Sequence, residues 1–251
     1  MQVAIAALLV FLVLVSLYTL HKVRAIHLMQ YSASGQLGAE TGSMYRQLEA
    51  LQGLYIDLDL KKSLPSTRGW AASPDFLAEL AQYALAEKPR TVVECSSGTS
   101  TLVLARCMQI NGGGKVYSLE HDPVFALQTR AHLERHGLSD FAEVIDAPLK
   151  KVEVGSSPWS WYAHEGLPAD IKIDLLAIDG PPSASGELAR YPAGPVLFPL
   201  LSANGAVFLD DASRVDEQAI LSRWKQEFPA LSQTMRFCEK GCAVLRSGAA
   251  A

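Results

Sequence analysis

Acidic side chains close a series of short apolar runs, and that placement is the first sign of chemistry. Glu94 lies near the end of TVVEC (91–95) and is followed by Ser96-Ser97-Gly98-Thr99-Ser100. Glu120-His121-Asp122 closes KVYSLE (115–120), and Asp146-Ala147 closes AEVID (142–146). Asp179-Gly180-Pro181-Pro182 closes IDLLAID (173–179), and Asp210-Asp211 closes AVFLDD (206–211). Acids are only 26 of the 251 residues, so their recurrence at these ends asks for a reason. The small residues Ser96, Ser97 and Gly98 let a ligand approach the backbone closely. No G-x-G-x-x-G is present, and a carboxylate beside the turn repels a pyrophosphate. Glu120 is placed to accept two ribose hydroxyls at once. The implied ligand has a ribose, no pyrophosphate and a cationic or zwitterionic part. S-adenosylmethionine fits that description.

These residues need elements to hold them. From Thr91 onward short strands alternate with helices: strands at 91–95, 115–120, 142–146, 173–179 and 206–211, and helices near 101–110, 124–136, 196–201 and 217–228. Leu175 to Ile178 is unbroken apolar sequence, as in a parallel strand covered on both faces. SQTMRFC and CAVLR, joined by Glu239-Lys240-Gly241, read as a closing hairpin. The class is α/β: a doubly wound, Rossmann-like sheet of about seven strands with an antiparallel last strand. Ligands of such sheets sit at the carboxyl ends of the parallel strands, where the acids are. The stretch 147–172 reads as an irregular loop rich in Trp, Ser and Pro.

VVECSSGTSTL resembles the first motif of class I S-adenosylmethionine-dependent methyltransferases, E-x-G-x-G-x-S/G, with Ser96 in the place of the first glycine. VYSLEHDP is similar to their second motif, and LLAIDGPP and GAVFLDDASR to their fourth- and fifth-strand motifs. The resemblance spans about Trp70 to Arg246. It implies that Glu94 and the loop with Ser96, Ser97, Gly98 and Ser100 hold the amino-acid end of the cofactor. It further implies that Glu120, with His121 beside it, holds the ribose, and that Asp146 and Ala147 lie against the adenine. Asp179 with Asp210 and Asp211 resembles the metal site of catechol- and caffeoyl-coenzyme A-type O-methyltransferases. Such oxygen ligands suit Mg²⁺ or another divalent cation. Those enzymes also carry a Lys soon after the first Asp, whereas GPPSASGELAR follows Asp179 here. A bound ion, direct base catalysis by Asp179 or Asp210, and helix capping are the open readings of this cluster. Trp159, Trp161, Tyr162 and His164 form either an aromatic lid or the packing of a long loop. Arg190 and Arg214 either orient an anionic acceptor or pair with Glu187 and Asp216.

The remaining sequence sets the location. Met1 to Leu20 has no charged side chain, and 20 helical residues span about 30 Å, the thickness of a bilayer core. No Lys or Arg precedes the run, whereas Lys22 and Arg24 follow it. That argues for an uncleaved anchor over a signal peptide, with the catalytic domain in the cytoplasm. The expected organisation is a transmembrane anchor (1–20), a juxtamembrane segment and Gly/Ser-rich flexible linker (21–43), and a methyltransferase domain (44–251, core 70–246). A formal charge of −4 excludes a broad electrostatic grip on nucleic acid. Four scattered Cys fit a reducing compartment. The expected function is methyl transfer to an oxygen of a small-molecule, lipid-linked or saccharide-linked acceptor near the membrane. The alternatives are a nicotinamide-dependent oxidoreductase and a non-catalytic membrane-tethered scaffold on a degenerate methyltransferase fold.

Overall fold

The computed structural model describes residues 1–155 and 157–247. Residues 248–251, which close the expected domain, and Ser156, in the expected irregular loop, lie outside the described residues. The chain divides into two units, Met1–Arg46 and Gln47–Ala251.

The first unit is helical from Gln2 onward, within α1 (Gln2–Asp57). Among the described residues this is the one helix long and apolar enough to cross a membrane. The stretch 31–43, expected as a flexible linker, is helical as well. The reason is local: the first proline is Pro65, and a glycine inside a helix costs only about 1 kcal/mol relative to alanine. Gly35, Gly38 and Gly42 therefore weaken the helix without stopping it.

In the second unit the end of α1 buries Leu54, and Leu58 just beyond it is buried as well. α2 (Pro74–Glu87) begins with proline in its first turn, where no backbone donor is needed. Ser73, at the N-cap position, makes no side-chain cap bond and donates to Asp75 Oδ1 at 2.6 Å. Then follow β1 (Thr91–Cys95), α3 (Thr99–Ile110), β2 (Lys115–Glu120), α4 (Pro123–His136) and β3 (Ala142–Asp146). β4 (Leu149–Val154) and β5 (Ser157–Tyr162) come next, then β6 (Ile173–Ile178), α5 (Ala193–Leu197) and β7 (Leu201–Asp210). α6 (Val215–Glu227), β8 (Leu231–Arg236) and β9 (Cys242–Ser247) complete the chain.

The main sheet has seven strands in the order β3-β2-β1-β6-β7-β9-β8. β1, β2, β3, β6 and β7 pair in parallel, and β9 runs antiparallel to both β7 and β8. This is the Rossmann-like methyltransferase sheet, reversed last strand included. Strand alternation divides the core between two faces. Val92 and Leu175 pack with α2, α3 and α4, while Val93 and Leu176 pack with Trp161, Leu197, Ile220 and Trp224.

Two regions depart from expectation. The 147–172 stretch contains a hairpin, β4 paired with β5, that forms its own two-stranded sheet. Its signal was the alternation Lys151-Val152-Glu153-Val154 before Gly155, which has φ +64°. The expected 196–201 helix is shorter, because α5 ends at Leu197 and a 3₁₀ turn covers Phe198–Leu200. β7 accordingly starts early, with an irregular register opposite Ile173 and Leu175. Gly205 lies there because a Cβ would come within 2.8 Å of the Ile173 carbonyl oxygen.

Candidate active site

The sheet order reverses between β1 and β6, so the crevice for a ligand opens beyond their carboxyl ends. The turn after β1 forms one wall. Ser96 N–H donates to the Leu119 carbonyl at 2.9 Å, and Asp179 N–H to the Cys95 carbonyl at 3.2 Å, which ties the ends of β1, β2 and β6 together. Ser96 has φ +100°, a region that favours glycine. The backbone thus keeps the bend of a glycine turn although the residue there is serine.

Glu94 is 1% exposed. Its Oε2 accepts from the Thr101 and Ser118 hydroxyls, both at 2.6 Å. Thr101 Oγ1 in turn accepts from Gly98 N–H at 3.0 Å. Burial pushes the Glu94 carboxyl up, against hydrogen bonds from Ser100, Ser118 and Thr101. Glu94 therefore braces the loop and the start of α3 from inside. Its Oε2 is thus occupied by two hydroxyl donors of the fold, behind the turn expected to hold the amino-acid end of the cofactor.

Glu120, 3% exposed, closes β2. Its Oε2 accepts from Ser97 N–H at 2.8 Å and Ser97 Oγ at 2.9 Å, and its Oε1 from Asp122 N–H at 3.0 Å. His121 Nδ1 lies 3.1 Å from Oε1. A ribose diol would reach this carboxylate by sharing it with, or displacing, the Ser97 hydroxyl. Ala147 is buried, and its N–H donates to the Glu120 carbonyl at 2.7 Å. Asp146 turns outward: Arg130 on α4 holds its Oδ1 at 2.8 Å and also donates to the Val144 carbonyl. The structure thus brings Ser96, Ser97, Gly98, Glu120 and His121 together, sets Glu94 behind them, and leaves Asp146 at the rim.

Asp179, Asp210 and Asp211 converge as expected, each offering one oxygen within 4.8 Å of the others. A cation of the protein itself lies beside them. Arg190, 4% exposed, donates through one terminal nitrogen to the Asp179 carbonyl (2.6 Å) and Asp211 Oδ2 (2.8 Å), with Asp179 Oδ1 at 3.3 Å. Its other terminal nitrogen donates to the Asp210 carbonyl at 2.9 Å and lies 3.5 Å from Glu217 Oε1. Arg214 reaches Asp211 Oδ2 at 2.8 Å, and Lys240 Nζ lies 3.9 Å from Asp211 Oδ1. The expected partners of these arginines, Glu187 and Asp216, are not the ones found. Arg190, Glu217 and Lys240 are site residues that sequence reasoning placed elsewhere or omitted, since no local spacing ties them to Asp179.

Burial pushes Asp179 up to about 6, against the pull of Arg190, and raises Asp210 well above the usual carboxylate range. Asp210 Oδ2 and Asp211 Oδ1 are buried without a hydrogen-bond partner. Orphaned buried oxygens are costly. Three converging carboxylates, two of them with an unpartnered oxygen, form a donor set that fits a hard divalent cation, with Arg190 holding Asp179 Oδ1 and Asp211 Oδ2.

The aromatic cluster belongs to β5. Trp161 and Tyr162 are fully buried, and Trp159 stacks on Tyr191 with centroids 4.7 Å apart. His164 Nδ1 lies 3.3 Å from the Tyr162 carbonyl. Trp159 and Trp161 pack the hairpin against the core; the Tyr162 and His121 rings meet in a T-shaped pair with centroids 6.0 Å apart.

Comparison with known proteins agrees with this geometry. The model of a family described as a methyltransferase domain matches residues 93–212, from β1 through the Asp210-Asp211 turn. No curated protein matches the sequence. Among solved structures, the Podospora anserina methyltransferase PaMTH1, bound to S-adenosylhomocysteine, is similar with a TM-score of 0.56 at 16% identity, over 83% of this chain and 94% of that one. An O-methyltransferase from Bacillus cereus in complex with S-adenosylhomocysteine gives 0.53 at 18% identity, over 79% and 90%. The O-methyltransferase TomG from Streptomyces achromogenes, in complex with S-adenosylmethionine, gives 0.51 at 14% identity, over 80% and 88%. At these identities the structural likeness is one of fold. The sequence match adds that residues 93–212 are similar to a methyltransferase domain.

Proposed function

We propose that this chain is an S-adenosylmethionine-dependent O-methyltransferase, anchored in a membrane by its N-terminal helix and acting on an acceptor at or near that membrane. One observation supports it above the others. Asp179, Asp210 and Asp211 each bring one carboxylate oxygen within 4.8 Å of the others at the ends of β6 and β7, and Asp210 and Asp211 each keep one buried oxygen without a hydrogen-bond partner. A crevice with one acidic wall for a ribose and a second for a cation suits a sulfonium donor and a metal-assisted hydroxyl acceptor.

Each residue has a stated task. Glu94 fixes the 96–101 loop from behind, and Glu120 accepts the ribose hydroxyls. Asp179, Asp210 and Asp211 would hold the divalent cation, and Arg190 keeps two of these three carboxylates in place. A cation bound there would lower the pKa of the acceptor hydroxyl. The acceptor oxygen attacks the sulfonium methyl in line. The rest of the rate comes from alignment of the two reactants. The hydroxyl proton leaves to solvent as the methyl–oxygen bond forms and the methyl–sulfur bond breaks.

The test uses the full chain in lipid nanodiscs with S-adenosylmethionine tritiated on the methyl, mixed with total membrane extract. Label entering lipid- or saccharide-linked material, and lost in Asp210→Asn, supports the reading. Label that stays in the donor, or moves equally well with Asp210→Asn, sinks it.

A further inference from the structure

The Tyr162 hydroxyl is the group in this crevice that the account so far leaves idle. Tyr162 is 0% exposed, and its hydroxyl has no hydrogen-bond partner. Its position follows from Gly180: a Cβ there would collide with the Tyr162 hydroxyl and would lie 3.0 Å from Ser96 Cβ and 3.4 Å from the Cys95 carbonyl oxygen. The hydroxyl therefore sits between the carboxyl ends of β1 and β6, where the sheet order reverses. Glycine at 180 is what admits it. The Trp159 and Trp161 indole N–H groups also lack partners, but their rings belong to the packing of the hairpin. Burial raises the Tyr162 phenol well above its ordinary range, so it stays a donor at any working pH. A buried O–H with no acceptor is destabilising, a cost that a bound acceptor removes.

What binds there follows from strand order, given the proposed function on which this step rests. With the ribose at Glu120, on the end of β2, and the base on the β3 side, a linear sulfonium nucleoside must extend the other way. The sequence β3-β2-β1-β6 puts its amino-acid tail at the ends of β1 and β6. That tail carries a carboxylate, an acceptor for a neutral donor. We infer that Tyr162 is a cofactor-binding residue, contributed by the β4–β5 hairpin, whose hydroxyl donates to the amino-acid end of S-adenosylmethionine. The hairpin is thereby part of the cofactor site although it lies outside the main sheet.

The experiment is isothermal titration of the full chain in detergent, wild type and Tyr162→Phe, with S-adenosylhomocysteine and with 5′-methylthioadenosine. The second probe keeps base, ribose and thioether but lacks the amino-acid tail. The expected result is about tenfold weaker binding of S-adenosylhomocysteine by Tyr162→Phe, the worth of a hydrogen bond to a charged group, with 5′-methylthioadenosine changed less than about twofold. Unaltered binding of 5′-methylthioadenosine also shows that the variant is folded. Equal binding of S-adenosylhomocysteine by both proteins overturns the inference, as does parallel weakening of both probes. Tighter binding by Tyr162→Phe overturns it too, since the hydroxyl would then obstruct the tail. If the wild type binds neither probe, the methyltransferase reading itself fails, which is a separate outcome.

Discussion

On the β1–β2 side of the crevice the carboxylates are held by the protein's own donors, whereas on the β6–β7 side buried oxygens of Asp210, Asp211 and Glu217 have no hydrogen-bond partner. Glu94 is claimed by Thr101 and Ser118, and Glu120 by Ser97 and Asp122. Asp210 Oδ2 and Asp211 Oδ1 are left over even with Arg190, Arg214 and Lys240 around them. The first wall is preorganised to give a loop its shape. The second keeps buried oxygens unpaired, which on the proposed reading a cation would satisfy. Acids at strand ends are thus not one kind of residue: their use depends on whether local donors reach them.

The comparison breaks most sharply at Asp210. If the cluster holds a cation as proposed, Asp210→Asn removes a charged ligand, and Mn²⁺ binding followed by electron paramagnetic resonance should weaken about 100-fold. Glu120→Gln should leave it unchanged. Equal Mn²⁺ affinity in wild type and Asp210→Asn would mean that the cluster is purely structural.

The next effect is on stability and pH in the ion-free protein. Asp179 rises from an ordinary value of 3.8 to about 6 on folding, so the folded state binds its proton more tightly than the unfolded one. That contribution is present below pH 3.8 and is lost as pH rises to about 6. A two-unit shift bounds it at about 3 kcal/mol. Melting temperature followed by circular dichroism should fall across this window from Asp179, and Asp179→Asn should flatten the fall. A melting curve whose pH slope is untouched by Asp179→Asn contradicts the assignment.

On the other wall, Glu120→Gln should weaken binding of S-adenosylhomocysteine about tenfold, through loss of charge-assisted bonds to the ribose. Equilibrium dialysis reads this directly, and unchanged affinity would place the nucleoside elsewhere. The smallest effect is at the turn itself. Ser96→Gly relieves a positive φ and should stabilise the domain by about 1 kcal/mol, a rise of about 2–4 °C in Tm. A lower Tm would show that the serine side chain contributes more than its backbone costs.

Much of the fold was legible because its signals are local. β1, β2 and β3 lie at the expected positions, since each is a short apolar run between turn residues. The β4–β5 hairpin was missed because Trp, Ser and Pro masked an alternation confined to a few residues. The linker at 31–43 was misjudged because glycine content was weighed without the absence of proline. In the site, the convergence of Asp179, Asp210 and Asp211 followed from strand order. The inward turn of Glu94 did not, because it depends on Ser118 from a neighbouring strand and Thr101 from the next helix. The partners of Arg190 escaped for the same reason: Asp179 and Asp211 lie 11 and 21 residues away, joined only by the fold.

The central claim is that the crevice between β1 and β6 holds a sulfonium nucleoside, and titration with two ligands tests it most directly. Isothermal titration of the full chain in detergent with S-adenosylhomocysteine should give saturable heat at one site, and NADH should give none. Heat from NADH alone, or from neither ligand, would contradict the account.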